Sequence, residues 1–201
     1  MAVPRKQTGS PSRGREDWVD AAAAAFAAGG LAAVRVESLA RELSVTKGSF
    51  YWHFADRAAL LSAVIDRWEQ QQTTAMIVES ERGVTPADRL RRLLAAVTEH
   101  LGTSRGELLL YLEAEHEGVR GAVERVTTRR LAYVRDLLVE LGVDETTAER
   151  KSALALAAAT GMRQLVMGAP TAMQGEALRR AGFNKFFHAI LVGPVSAPSG
   201  S

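Results

Sequence analysis

The chain has 201 residues, 47% of them hydrophobic, which is enough apolar material for a sizeable core and too much for a disordered polymer. Its 25 basic and 23 acidic side chains leave a net charge of only +2, so overall charge neither demands nor excludes a polyanionic partner. The absence of cysteine excludes disulfides, thiol catalysis, Fe–S clusters and cysteine-based zinc sites, and fits a reducing compartment.

Residues 1–15 hold four basic side chains, no acid, two prolines and two glycines with no helical period, so a flexible basic arm is expected there. From Asp17 onward, Trp18, Val19, Ala22, Ala25 and Phe26 recur at three- and four-residue steps, predicting a helix that stops at Gly29-Gly30. Glu16, Asp17 and Asp20 ahead of the run Ala21–Ala28 carry the wrong charge for an export signal. No apolar run approaches the roughly 20 residues of a membrane span. A cytoplasmic protein with no membrane partner is expected.

A short helix at about 37–43, a tight turn at Ser44–Val45 and a second short helix over about 47–54 follow. Asp56 is placed to cap a long helix reaching about Arg82, with Leu60, Leu61, Val64, Ile65 and Trp68 on its apolar stripe. Thr85-Pro86 opens the next helix, which carries Leu90, Leu93, Leu94, Val97 and Leu101. Helices are then expected at about 107–115, at 119–141 up to Gly142, from Asp144 to Met167, and over 171–191. Gly168-Ala169-Pro170 separates the last two, and a Gly/Pro/Ser-rich tail at 193–201 is expected to be disordered. Nowhere does a two-residue alternation persist. The prediction is an all-α protein of about nine helices.

The chemistry concentrates in Val36–Leu61. Leu39, Ala40 and Leu43 form the inner face of the first short helix, and Val45 plugs the gap beneath the turn. Thr46 stands at an N-cap, where its hydroxyl is expected to accept the Ser49 N–H. Winding the second short helix at about 100° per residue puts Phe50 and Phe54 on the core side. Gly48, Ser49 and Trp52 then point away, with Tyr51 and His53 on the flanks and Lys47 at the N-terminus. Four neighbouring aromatic positions cannot all face inward on one helix. An outward Trp and a helix-weakening glycine make sense if this helix must approach another surface closely. The glycine lets backbone near a groove, hydroxyls and Lys47 reach phosphates, and Trp52 meets bases or sugars.

Leu39-Ala40 followed by Ser44-Val45-Thr46-Lys47-Gly48-Ser49-Phe50-Tyr51-Trp52-His53-Phe54 resembles the signature of the TetR (tetracycline-repressor-like) regulators. The likeness covers about residues 17–64. It implies a three-helix DNA-binding head, assigned here to residues 16–62, and a ligand-binding and dimerisation body at 63–192. It further implies that Lys47, Gly48, Ser49, Tyr51, Trp52 and His53 lie on the recognition helix in the major groove. In that arrangement Tyr51 and His53 help to hold phosphates, and Arg57 matches a position whose cation meets the DNA backbone. Ser38 and Thr46 complete the expected DNA-binding set. Arg35 stands where many members have Thr, and it either supplies the phosphate contact or is simply solvated. Ser44 occupies the position of the turn glycine, at a cost of about 1 kcal/mol if that backbone needs a positive φ.

The resemblance implies a homodimeric repressor, neither an enzyme nor in need of a cofactor, released from a near-palindromic double-stranded operator by a small-molecule effector. The last two long helices are expected to form the dimer interface. Ala153–Ala159 is apolar on every face, and Phe183, Phe186, Phe187, Ile190 and Leu191 give the final helix a wide apolar surface. Trp68, His100, Tyr111, Tyr133, Met162 and Gln164 combine polar tips with apolar bodies and are the candidates for an effector pocket. Two other readings compete: a ligand-independent DNA-binding protein, and an enzyme using the body cavity. The best version of the second places a metal at Glu113 and His116, although a solvated acidic face explains that pair more simply.

Overall fold

The structure, a computed structural model, describes residues 14–99, 105–173, 185, 187–189 and 191. Its described residues form helices and turns and contain no strand. The first is α1 (Arg15–Gly29), whose start is fixed by the Gly14 N–H donating to Asp17 Oδ2 at 2.7 Å. The expected arm otherwise lies outside the described residues. After a short 3-10 turn at Leu31–Ala33 come α2 (Val36–Glu42), α3 (Lys47–Phe50) and α4 (Arg57–Glu69). Asp56 caps α4 as expected, its Oδ1 accepting the Ala59 N–H at 2.8 Å.

The long helix predicted from Asp56 to Arg82 is interrupted. A π-helical turn at Gln70–Thr74 divides α4 from α5 (Ala75–Glu81). The sequence QQQTT contains no breaker, so composition gave no sign of the change in pitch. Next come α6 (Pro86–Glu99), α7 (Arg105–Glu113), α8 (Arg120–Glu140) and α9 (Glu145–Gly168). Of the helix expected over 171–191, only residues 185, 187–189 and 191 are described as helical; Phe183, Phe186 and Ile190 lie outside the described residues. None of the described helices is long and apolar enough to cross a membrane.

Two main apolar clusters hold these elements. The first centres on Trp18, Phe26, Leu39, Phe50, Leu60 and Ile65, and it continues into Leu110 of α7, Val119 at the N-cap of α8 and Val126 of α8. The N-terminal helices therefore share one core with the body, and α4 crosses the expected 62/63 boundary without a break. Trp18 and Phe50 meet edge to face at 5.3 Å between ring centres. The second cluster joins Leu90, Leu94, Leu137, Leu138, Ala148 and Ala155 to Phe187 and Leu191. Phe187 and Leu191 thus pack inside the subunit, where the sequence had suggested a surface for a second copy.

Candidate nucleic-acid interface and body cavity

The tight turn between α2 and α3 is built by the chain itself. The Val45 N–H donates to Ala40 O at 2.9 Å, and Ser44 adopts φ 57°, the left-handed conformation that glycine tolerates best. Leu39 and Ala40 are buried, and Val45 packs against the same core. Thr46 holds the extended N-cap geometry without capping through its hydroxyl. Its carbonyl instead accepts both the Ser49 N–H at 3.1 Å and the Ser49 hydroxyl at 2.8 Å. The Thr46 side chain remains exposed.

The second short helix is regular only to Phe50, then tightens. Tyr51, Trp52 and His53 donate their N–H groups three residues back, and the Phe54 N–H returns to Phe50 O at 3.0 Å. This winding keeps Phe50 and Phe54 stacked in the core and turns their neighbours out. Trp52 is 88% exposed and Tyr51 58%. A Cβ added at Gly48 would meet nothing closer than Thr46 Oγ1 at 3.7 Å, so nothing inside the subunit requires glycine there. Arg35 is exposed at the N-cap of α2, and Ser38 is half-buried on the same helix.

Two predicted cations are engaged within the chain. Lys47 pairs with Glu37, which holds the ammonium above its ordinary pKa and the carboxyl below its own, chiefly through their hydrogen bond. Arg57 was expected to reach outward. It turns inward instead, donating to Val34 O and Leu31 O at 2.7 Å each and pairing with Glu117. A second tie lies beside it, where Glu113 accepts the Leu31 N–H at 2.6 Å. Glu113, considered above as a metal ligand, is occupied as a clamp between α7 and the loop after α1.

The body forms a cavity, partly open to solvent, between α5, the π turn, α6, α7, α8 and α9, with about 960 Å³ of empty space when the open solvent at its mouth is included. Of the predicted pocket residues, Tyr111 and Tyr133 line it. The Tyr133 hydroxyl donates to Ser80 and Glu81, and burial, with the Glu81 hydrogen bond, pushes its pKa up to about 12. Trp68 does not reach the cavity; it is buried in the first core with the Arg130 guanidinium 4.6 Å over its ring. Met162 packs at the edge of the second core, Gln164 is exposed, and His100 lies outside the described residues.

The polar end of this cavity is built from residues outside the predicted set. Arg130 of α8 and Arg163 of α9 converge on one carboxylate, Glu107 of α7, and their side chains are 16%, 10% and 5% exposed. Arg130 also donates to Thr73 Oγ1 at 2.8 Å and to the Gln72 carbonyl at 3.3 Å, both on the π turn. Burial pushes both guanidinium groups below their ordinary pKa. Arg163 had a legible signal, since it is the lone cation in the otherwise apolar or neutral stretch from Ala153 to Met167. Arg130 had none that set it apart from Arg129 beside it.

Residues 19–64 match the family model described as bacterial regulatory proteins, tetR family. The HTH-type transcriptional regulator TtgR of Pseudomonas putida is 35% identical over 88 residues, 43% of this chain and 42% of that relative. The chain thus aligns with less than half the length of that relative. A crystallised transcriptional regulator from Rhodococcus sp. Rha1 shares the fold at TM-score 0.71 and 22% identity, covering 92% of this chain and all of that one. BioQ, solved with its double-stranded DNA operator, superposes at TM-score 0.55 and 20% identity over 90% of this chain and 99% of its own.

Proposed function

We propose, from the match of its N-terminal head to the tetR family of bacterial regulatory proteins over residues 19–64, that the chain is a regulator of that family, a cytoplasmic, homodimeric repressor released from its operator by a small molecule. The observation that carries the proposal is the outward face of α3 and of the tighter turn at 51–53 that continues it. Trp52 and Tyr51 stand in water beside Lys47 and a glycine that the subunit does not need, while Phe50 and Phe54 anchor the same few residues in the core. Such a face has a large apolar cost until something covers it. Backbone at Gly48 can come close to a groove floor, Trp52 supplies apolar contact, and Ser49, Thr46 and Arg35 offer hydroxyls and charge to phosphates. For a cation held as Lys47 is, the phosphate must compete with Glu37.

Two copies reading successive major grooves would place their α3 helices about 34–36 Å apart. The surface for pairing lies on α9, where Leu154, Ala157, Gly161 and Leu165 fall on one side and Leu154, Ala157 and Leu165 are exposed. A Cβ at Gly161 would meet nothing, so a partner helix can approach closely.

Coupling to an effector has a physical route through α7. Gly106 packs so tightly on α1 that a Cβ there would sit 1.9 Å from Phe26 O, and its chain neighbour Glu107 lines the cavity. A ligand that moves Glu107 therefore acts one residue away from the contact that seats the head. It shifts the population only if it binds the released arrangement more tightly than the DNA-bound one.

The test is an electrophoretic shift with DNA from upstream of the protein's own gene. Trp52→Ala should lose about tenfold or more in operator affinity while its melting temperature matches wild type. Wild-type affinity in that variant overturns the proposal.

A further inference from the structure

Resting on the effector-binding reading above, we propose that the body cavity takes an amphipathic monocarboxylate, its anionic head between Arg130 and Arg163 and its aliphatic body toward α6 and α9. Among the described residues, two guanidinium groups and one carboxylate meet at the polar end of the cavity. Glu69 also attracts Arg130, but Glu69 and Asp66 together are two carboxylates already paired with two guanidinium groups, Arg125 and Arg129, so the count at the cavity end is unchanged. The cavity end is therefore short of one negative charge. A buried cation without its counter-charge is costly, and burial acts against both guanidinium groups here.

The geometry favours a planar anion. Arg163 has Glu107 as its one hydrogen-bonding partner among the described residues, which leaves most of its fork of donors for a second carboxylate. Arg130 is held rigidly by Thr73, Gln72 and the Trp68 ring, so its position needs no reorganisation when a ligand arrives. Away from this end the lining changes character: Met76, Ile77, Leu93, Leu94, Val97 and Leu156 are aliphatic. One end thus selects an anion and the rest a hydrocarbon.

The experiment uses the full chain and three probes of equal chain length: decanoate, decanol and decyltrimethylammonium. Calorimetric titration at neutral pH should give decanoate about tenfold or more tighter than decanol, with the cation weakest. In Arg163→Gln the preference for decanoate over decanol should collapse, and in Glu107→Gln, where a competing carboxylate is removed, it should grow. Circular dichroism and the melting temperature establish that each variant is folded. If Arg163→Gln does not fold, growth of the preference in Glu107→Gln carries the test alone. Decanol binding as tightly as decanoate, no saturable binding of either, or a preference that neither substitution moves overturns the proposal. Operator release is read separately: saturable, arginine-dependent decanoate binding by a protein that shifts no DNA sustains the ligand class and sinks the regulator reading.

Discussion

Ser44 adopts a conformation that costs an L residue about 1–2 kcal/mol, and only the sharp turn between α2 and α3 explains it. Its side chain is exposed, so Ser44→Gly removes strain without removing packing. Offset by the greater freedom of glycine in the unfolded chain, the expected gain is about 0.5–1 kcal/mol, or a rise of about 2–4 °C in melting temperature. An unchanged or lower melting temperature would show that the turn carries no strain. Single residues also mark where sequence reading stops. Trp52 and Tyr51 were legible as outward because helical geometry forbids four adjacent aromatics from sharing one face. Arg57 was not, since no local pattern shows that Glu117, sixty positions later, folds back to meet its guanidinium.

At the scale of elements, α7 joins the two halves of the chain. It presses Gly106 against α1, lends Glu107 to the cavity, and clamps the loop after α1 through Glu113. Gly106→Ala should therefore force α7 away from Phe26, lowering stability by about 2–3 kcal/mol and the melting temperature by about 5–10 °C. Gly121→Ala is the control: a Cβ there meets nothing, and alanine suits α8 better than glycine, so its melting temperature should hold or rise. Equal effects of the two substitutions in a thermal melt would remove the close approach from the account. The π turn shows the converse relation between element and environment. Its polar residues carry no breaker, yet Arg130 takes the Gln72 carbonyl and Thr73 hydroxyl, and Arg129 the Thr74 hydroxyl. Partners on α8 hold the widened turn, so its cause lies outside the segment.

At the scale of the whole molecule, the first core runs from Trp18 through Phe50 and Ile65 to Val126 without a seam between head and body, while the cavity is walled in part by the second core. A displacement at the cavity reaches the first core through Arg130, which lies over the Trp68 ring, and through Glu107, whose neighbour Gly106 packs on Phe26. The dimer proposed for operator recognition belongs to this scale. Replacing exposed Leu154 and Leu165 together by Glu puts like charges on each copy's pairing face while leaving both cores intact. Sedimentation should then give a monomer with native helicity and a large loss of operator affinity; a dimer that persists would move the interface elsewhere. By itself the sequence determined the helical class, most helix starts and stops, and the outward face of α3, because those follow from side-chain periodicity, caps and turns within a few residues of chain. The tertiary structure decided the inward turn of Arg57, the burial of Phe187 and Leu191, the π turn, and the meeting of Arg130, Arg163 and Glu107. Each of these depends on charges or apolar faces brought together from distant helices, and a buried ion pair leaves no periodic trace in the segments that supply it.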